Sequence, residues 1–462
     1  MVSSTSLLNL GEDILGILAE KVDEDRTFYR IDEEDRNTQN LCLVSRAFRK
    51  PCQRLLFREI HLRNGKYPLV APLPSLLRLR SVLSGNIHLC RYTRILELSQ
   101  TFEGDMDDDF IPWMEQDPLL ATVLNLFASS PITILRLNSD FHHPMLYWSD
   151  IDDQIQTSFT SIFAKPTLRT LELSQVVICS LLLTPNRLPQ LENLCLSGSR
   201  IEVIQEENLS ASVVRRENGA LTNVYIDFYT ETFWEDYDTP LHEFVAEAGL
   251  NFQTVKCLGV KFGEETLPSF SPLLPSLLHL VDLRISFSSL RPDLSERLNL
   301  SSLVSLANFS VCNRFRDHLN PSLCWTIDAL ASIPSSHPSL LSISVGLRFR
   351  FNAASMEHQY LIGLLSDELQ RLHNRPASGT TSGVRKIALH LRTHHMSLRG
   401  LGRSDPAFDA MKEAIAAIFR WGEEGDDTGT RSGEFIMDLV LNQTCDEWVF
   451  ANSPLDSMRF SL

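Results

Sequence analysis

Two histidine clusters are the first positions in this sequence that suggest chemistry: His142-His143, and His390 with His394 and His395. Imidazole is a common metal ligand, but metal sites combine it with cysteine or carboxylate ligands at short, regular spacings. Neither residue type stands at such a spacing beside the second cluster. We therefore expect no metal site in this chain.

Motifs that build catalytic sites are also missing from the sequence. It contains no Gly-x-x-x-x-Gly-Lys-Ser/Thr phosphate loop, no Gly-x-Ser-x-Gly nucleophile motif and no His-Glu-x-x-His zinc motif. Glycine is scarce, with 20 in 462 residues, which disfavours a cofactor cradled by backbone amides. Catalytic residues can still converge from distant loops. We expect no catalytic residues and no cofactor, and hence a protein that is not an enzyme.

Charge and cysteine usage limit the partners and the compartment. The formal net charge is -16, which repels phosphate backbones and anionic membrane surfaces, so we expect neither nucleic acid nor membrane as a partner. The nine cysteines are scattered without a Cys-x-x-Cys pair, as in reduced proteins. The first residues show no basic and apolar leader pattern. We expect an intracellular protein, cytoplasmic and/or nuclear, that is not secreted.

One apolar pattern recurs along the chain and predicts the elements that position any functional side chain. It has the form Leu-x-x-Leu-x-Leu with aliphatic substitutions, and a weaker first copy lies at Leu96/Leu98. The last two apolar residues are two apart, as residues on one face of a strand must be. The copies are Ile132/Leu135/Leu137, Leu168/Leu171/Leu173, Leu191/Leu194/Leu196, Leu221/Val224/Ile226, Val255/Leu258/Val260, Leu280/Leu283/Ile285, Leu306/Phe309/Val311, Leu340/Ile343/Val345, Val384/Ile387/Leu389 and Ile436/Leu439/Leu441.

Helical patterns lie between several copies of this pattern. Apolar residues at helical spacing predict helices over 149–164, 323–333, 356–372 and 406–421. The alternation resembles the leucine-rich-repeat family over residues 89–442. The resemblance implies an α/β fold, an irregular solenoid with parallel strands on the concave face and helices on the convex face. An α/β domain with parallel strands and crossover helices would share the same alternation.

The residues that alternate with the strand leucines would face outward on the concave wall. The clearest case is the segment from Tyr225 to Tyr229, which places Tyr225 and Asp227 on one side. Exposed aromatic and charged side chains are enriched in protein interfaces. We therefore predict that a target protein contacts this wall, with candidate residues Arg136, Glu172, Tyr225, Asp227, Lys261, Arg284 and His390.

The first sixty residues carry a different pattern. Apolar residues at helical spacing predict a helix over 10–22 and a second one over the segment 40–49, and Pro51 is expected to open a third element. Ile60-His61-Leu62 is expected to form a short strand. So small a set of helices cannot bury a core of its own, so part of its apolar surface must pack on the neighbouring domain or on a partner.

Three blocks of this region resemble an F-box: Leu10-Gly-Glu-Asp-Ile-Leu, Leu41-Cys-Leu-Val-Ser-Arg-Ala-Phe-Arg, and Leu55-Leu-Phe-Arg-Glu-Ile-His-Leu. The resemblance implies a helical module that binds the Skp-family adaptor of a cullin–RING ubiquitin ligase. Gly11 stands where the family has proline, and the first loop is longer than usual. The implied adaptor contacts are Leu10, Ile14, Leu15, Leu18, Leu41, Leu43, Val44 and Phe48.

These features predict a domain order and a function. We expect an F-box over residues 1–62, a connecting segment over 63–88, the irregular solenoid over 89–442 and a C-terminal tail or cap over 443–462. The expected function is that of a substrate-recognition subunit of an SCF-type ubiquitin ligase, which holds a target protein on its solenoid. The alternatives are a leucine-rich-repeat scaffold without a ligase link, in which the first helices only cap the repeats, and an enzyme of unrecognised type.

Overall fold

A computed structural model describes fifteen parts of the chain, which fall into two compact units, residues 1–219 and 220–462. The described parts are residues 46–63, 74–100, 113–139, 146–183, 187–202, 221–227, 252–262, 271–287, 298–314, 320–334, 337–350, 356–373, 384, 386–394 and 434–441. The predicted helices over 10–22 and 406–421 lie outside these residues, as does the C-terminal tail.

The first unit alternates strands with short helices. Its helices are α1 (Arg46–Leu56), α2 (Pro74–Gly85), α3 (Trp113–Gln116), α4 (Leu120–Leu126) and α5 (Asp153–Phe163). Its strands are β1 (Glu59–Arg63), β2 (Ile95–Gln100), β3 (Ile134–Ser139), β4 (Leu146–Tyr147), β5 (Thr170–Ser174), β6 (Val176–Cys179), β7 (Asn193–Ser197) and β8 (Arg200–Glu202). Single 3₁₀ turns lie at Ile87–Tyr92, Phe127–Ser129, Trp148–Asp150 and Ser180–Leu183.

The second unit has the same alternation with longer strands towards its end. Its strands are β9 (Asn223–Asp227), β10 (Cys257–Phe262), β11 (Asp282–Phe287), β12 (Asn308–Arg314), β13 (Ser342–Arg350), β14 (Lys386–His394) and β15 (Glu434–Leu441). Helix α6 (Asn320–Ala331) follows β12 and helix α7 (Met356–His373) follows β13. Between the earlier strands the described connections are 3₁₀ turns at Phe252–Thr254, Ser271–Ser276 and Leu300–Ser302.

In each unit the strands of the main sheet pair in parallel and in the order of the chain. The first unit has the order β1-β2-β3-β5-β7, and the second has the order β9-β10-β11-β12-β13-β14-β15. Parallel strands need a crossover between them, which the helices and 3₁₀ turns supply. The predicted α/β class with parallel strands is confirmed.

The predicted apolar pattern sets the register of these strands. Leu135 pairs with Leu171 and Leu171 with Leu194, so leucines of successive copies form columns across the sheet. In the second unit Leu258 pairs with Leu283 in the same way. All five of these leucines are at most 2% exposed. In each unit the two strand positions of the copies up to Leu389 therefore form two rows of buried side chains.

Helix α5 shows how the intervening segments cover this core. Asp152 precedes the helix, and its carboxylate accepts a hydrogen bond from the backbone N–H of Gln154 at 2.8 Å, which caps the helix start. Phe159 and Phe163 are buried, and both rings pack against Trp148 with centroids about 6 Å apart. The helix begins later than the predicted residue 149 because Trp148–Asp150 forms a 3₁₀ turn instead.

The prediction that Pro51 opens a new element is wrong. The helix runs from Arg46 to Leu56 with Pro51 inside it. Proline has no N–H to donate to the carbonyl of residue 47, which weakens a helix. Here Phe48, Pro51 and Cys52 are all buried, so tertiary packing offsets the missing hydrogen bond.

The last copy of the pattern pairs in a different register from the one predicted. The sequence aligns Leu439 and Leu441 with Ile387 and Leu389, whereas β15 pairs Phe435 with Ile387 and Met437 with Leu389. A shift by an even number of residues keeps the same side chains on the same face. The apolar alternation alone therefore does not distinguish the two registers.

Two left-handed residues turn the chain from the main sheet into a small second sheet. Gln175 lies between β5 and β6, Gly198 follows β7 and precedes β8, and both have φ of 56°. The second sheet has the order β4-β6-β8 and is also parallel. Side-chain atoms of Gln175 fill the space that a Cβ on Gly198 would need. The turn thus needs glycine at 198 for both conformation and space.

We predict that Gly198→Ala destabilises the protein by about 1–3 kcal/mol, because alanine is strained at positive φ and meets the Gln175 side chain. The measurement is the free energy of unfolding from urea titration. Gly85→Ala is the control, because nothing lies within 4 Å of a Cβ at that position. Equal stability of the two variants would contradict the packing described for the turn.

Candidate functional site

A cluster of six charged side chains occupies the polar face of the main sheet in the first unit. It contains the predicted residues Arg136 and Glu172 together with four residues that were not predicted. The cluster consists of Glu59, His61 and Arg63 on β1, Glu97 on β2, Arg136 on β3 and Glu172 on β5. We call it the ion-pair cluster. These residues alternate with the buried leucines, so the strand period alone places them on one face.

The leucine pattern itself predicts two of the four additional members of the cluster. Arg136 and Glu172 are predicted because each lies between the two strand leucines of a copy. Glu97 has the same position between Leu96 and Leu98, and His61 has it between Ile60 and Leu62. Register confirms the equivalence, because His61 pairs with Glu97 and Glu97 with Arg136. Applying this rule to the weak first copies predicts His61 and Glu97, whereas Glu59 and Arg63 flank the apolar pair of β1 and share the face of His61 through the strand period.

His61 lies between two carboxylates. Its Nε2 is 3.2 Å from Oε1 of Glu59 on its own strand, and its Nδ1 is 3.1 Å from Oε2 of Glu97 on the next strand. Arg63 donates to Oε1 of Glu97 at 3.0 Å. These contacts bind β1 to β2 through side chains in addition to the backbone ladder.

Arg136 extends the cluster to strands β3 and β5. Its Nε donates to Oε2 of Glu172 at 2.9 Å, and its Nη1 lies 3.4 Å from Oε1 of Glu59 and 3.7 Å from Oε2 of Glu97. Burial lowers the pKa of this guanidinium, but the neighbouring carboxylates, Glu172 first, outweigh it and raise the pKa above its ordinary value. The arginine is therefore held charged at the centre of the cluster.

The proton on His61 is held tightly by this arrangement. Hydrogen bonds to Glu59 and then to Glu97 raise the pKa of His61 to about 9 against the opposing effect of burial. Burial raises the pKa of Glu97, but the His61 hydrogen bond and the charges of His61 and Arg63 outweigh it and lower the pKa to about 2. The His61 hydrogen bond also lowers the pKa of Glu59. At neutral pH the three cations and three anions cancel.

One imidazole and two carboxylates are also a common donor set for a divalent cation. The ligand atoms of Glu59, His61 and Glu97 lie within 4.8 Å of one another. However, Arg63 and Arg136 already pair with the same carboxylates, and a cation would have to displace a proton from a histidine of raised pKa. The charge balance of the cluster therefore favours the ion pairs over a metal ion.

The predicted residues of the second unit form two separate ion pairs. Lys261 Nζ on β10 donates to Oδ2 of Asp227 on β9 at 2.7 Å. Arg284 forms two hydrogen bonds of 2.9 Å to the carboxylate of Asp282 on its own strand. Tyr225 lies on the same face as Asp227 and is half-buried. The backbone of His390 belongs to β14, and its side chain lies outside the described residues.

The predicted adaptor contacts are only partly described. Leu10, Ile14, Leu15, Leu18, Leu41, Leu43 and Val44 lie outside the described residues. Phe48 lies on α1 and is 7% exposed. Its ring is therefore part of the interior of the first unit, and little of its surface is available for a partner.

Glu115, a buried carboxyl on α3, was not among the predicted site residues. It is 7% exposed, and burial, followed by the negative charge of Asp150, raises its pKa to about 7. A buried carboxyl of this kind has the pKa that general acid–base catalysis uses. It lies on a short helix that contacts β2, while the ion-pair cluster lies on the polar face of the sheet. We therefore assign it no catalytic role.

Neither the described helices nor the comparisons with known proteins identify a family for this chain. Within the described ranges no helix combines the length and apolar character needed to cross a membrane. Comparison of the chain with protein-family models found no match, and comparison with curated proteins found none.

We predict that replacing His61 by Gln removes a pH-dependent contribution to stability of about 1 kcal/mol, since the pair is partly exposed and screened. Because folding raises the pKa of His61 from 6.5 to about 9, this contribution is complete below pH 6.5 and is lost as pH rises through 9. Urea unfolding at pH 6 and pH 9.5 measures the difference. His88→Gln is the control, at an exposed histidine of the same unit. Parallel pH profiles for wild type and H61Q would refute the assignment.

Replacing Glu115 should have the opposite effect on stability from replacing His61. The pKa of Glu115 is raised from 4.5 to about 7 in the folded chain, so ionisation of this carboxyl destabilises the fold. The destabilisation is absent below pH 4.5 and complete above pH 7. We expect Glu115→Gln to stabilise the protein by about 2 kcal/mol at pH 8 and by close to nothing at pH 4. Thermal or urea unfolding at the two pH values tests this, and a gain that does not depend on pH would contradict it.

Proposed function

We propose that this chain is the substrate-recognition subunit of an SCF-type cullin–RING ubiquitin ligase. In this proposal the F-box over residues 1–62 binds the Skp-family adaptor, and an irregular leucine-rich-repeat solenoid over residues 89–442 holds a target protein. No bond is made or broken by the chain. Its contribution is proximity, because it raises the effective concentration of target lysines near the charged ubiquitin carrier.

The repeat part of the proposal is supported above all by strand order. In a solenoid each repeat contacts only its neighbours, so the strands must pair in chain order. In a doubly wound α/β domain the order reverses at one point of the sheet. Within the first unit the order rises from β1 to β7, and within the second it rises from β9 to β15, without reversal. The leucine columns repeat at every step of these ladders.

The docking part of the proposal is supported by the order and content of the three F-box-like blocks. Part of the second block and all of the third fall on described residues. Helix α1 starts at Arg46 and continues to Leu56, and β1 contains Ile60 and Leu62 of the third block. A helix that leads directly into the first strand of the sheet would attach an adaptor-binding module firmly to the repeats.

The polar face of the sheet is the surface on which we place the target. In the first unit it carries the ion-pair cluster, whose charges cancel, and in the second it carries the pairs Lys261–Asp227 and Arg284–Asp282. Because its charges cancel, such a surface exerts no long-range electrostatic attraction on acidic or basic partners. A target would be selected by short-range fit and by hydrogen bonds to these fixed groups.

A repeat scaffold without a ligase link is the alternative function. The burial of Phe48 favours it, because an F-box residue that packs inside the chain cannot also contact an adaptor. In that case α1 would only cap the sheet.

We expect Leu43→Asp to abolish capture of the Skp-family adaptor by the purified full-length chain, because a carboxylate in an apolar interface costs several kcal/mol. Phe48 is unsuitable for this test, since its burial means that substitution would also damage the fold. Leu278→Asp is the matched control at a leucine that is 52% exposed in the second unit, and it should leave capture unchanged. If the wild-type chain does not bind the adaptor in a calorimetric titration, the ligase proposal fails and the scaffold function remains.

A further inference from the structure

Positive charge in this acidic protein is concentrated in one stretch of sequence. Residues 46–96 contain eleven lysines and arginines and a single acidic residue, Glu59, so the stretch carries +10 in a chain of net charge -16. The rest of the chain therefore carries -26. Such a separation of charge is not needed for folding, and it commonly marks a surface for a partner of opposite charge.

The folded chain brings the elements of this stretch together in the first unit. Helices α1 and α2 both pack against the 3₁₀ turn Ile87–Tyr92, and α2 also contacts β1. At the amino-terminal ends of β1 and β2, the carbonyl of Arg58 accepts the backbone N–H groups of Arg94 and Ile95 at 2.8 and 3.1 Å. Arg58 and Arg94 are therefore neighbours, and the helix and the turn that carry Arg78, Arg80 and Arg91 are in contact.

Several of these arginines differ from those of the ion-pair cluster in having no carboxylate beside them. Arg78, Arg80 and Arg91 are exposed, and within the part of the chain that the structure describes none of them forms an ion pair. By contrast, Arg63, Arg136 and Arg169 each pair with a glutamate at 3.0 Å or less. Among the described residues, no carboxylate thus neutralises the positive charge at Arg78, Arg80 and Arg91.

Exposed aliphatic side chains lie among these arginines. Leu77 is 45% exposed and Val82 is 43% exposed on α2, and Ile87 at the start of the following 3₁₀ turn is 54% exposed. Protein interfaces combine apolar contacts with arginine. Surfaces for single-stranded nucleic acid instead combine positive charge with exposed aromatic rings for base stacking. The apolar side chains here are aliphatic, which favours a polypeptide over a nucleic acid.

We propose that this basic patch, formed by Leu77, Arg78, Arg80, Val82, Ile87 and Arg91, is a docking surface for an acidic amphipathic segment of another protein. Glutamates or aspartates of that segment pair with the three arginines, and its apolar face covers the three aliphatic side chains. The patch lies outside residues 1–62, on helix α2 and the following 3₁₀ turn and not on the strands that carry the polar face. It is therefore a third surface, independent of the adaptor and target surfaces proposed above.

The proposal is tested with the full-length chain and a fluorescein-labelled helical peptide that carries glutamates on one face and leucines on the other. Fluorescence anisotropy should show binding that weakens steeply as ionic strength rises. The double variant R78E/R80E should lose at least about tenfold in affinity, equivalent to about 1.4 kcal/mol. The double variant L77S/V82S should bind the amphipathic peptide more weakly than wild type does, but should bind a polyglutamate of equal charge as tightly.

The matched control is R187E/K256E, which changes net charge by the same amount at two exposed residues outside the patch and should bind the peptide as wild type does. The variant L43D should also bind normally, so failure of adaptor capture and failure of this proposal are distinguishable. Unchanged binding in R78E/R80E would overturn the proposal. Equally tight binding of a single-stranded oligonucleotide of equal charge would also overturn it. Self-association of the wild type that R78E/R80E removes would overturn it as well, because the occupant of the patch would then be a second copy of the chain.

Discussion

Each strand of the main sheets can bury its apolar side chains only when the neighbouring strands and a covering connection pack around them, and this constraint governs the rest of the structure. Burial of a leucine contributes about 2 kcal/mol, but only when neighbouring layers supply the contacts. The two strand positions of successive copies are therefore in register up to β14, as with Leu135, Leu171 and Leu194. The connections between strands can vary widely, from 3₁₀ turns to the long helix α7, because they need only cover this core.

The same register that aligns the leucines also aligns the charges between them. His61, Glu97, Arg136 and Glu172 occupy equivalent positions on successive strands, so opposite charges meet across neighbouring strands. Within the cluster each charge is neutralised by its neighbours, which makes the polar face of the first unit stable without making it strongly attractive. Helix α2 has no acidic residue, and no described carboxylate pairs with its arginines. On the sheet of the first unit, by contrast, core and charge distribution arise from one pairing pattern.

The sequence predicted the strands and most of the core because the two-residue spacing of leucines is a direct consequence of strand geometry. It predicted Arg136 and Glu172 for the same reason, and it missed His61 and Glu97 because the first copies lack the leading leucine of the pattern. It could not fix the register of β15, since sliding by an even number of residues keeps each side chain on its face. Local rules also failed at Pro51, where burial of the helix outweighed the cost of proline. Contacts between distant segments, such as Arg136 with Glu59, depend on the fold as a whole.

Only Phe57 and Arg58 separate helix α1 from strand β1, and both continue the helix through backbone hydrogen bonds to Gln53 and Leu55. The side chains of β1 are in turn tied to β2 by His61 and Arg63. The junction leaves little freedom for rotation, so α1 is fixed to the end of the sheet. In the proposed function, a partner bound to α1 would therefore set the orientation of the strands that follow, and inserting a few glycines at the junction would remove this constraint.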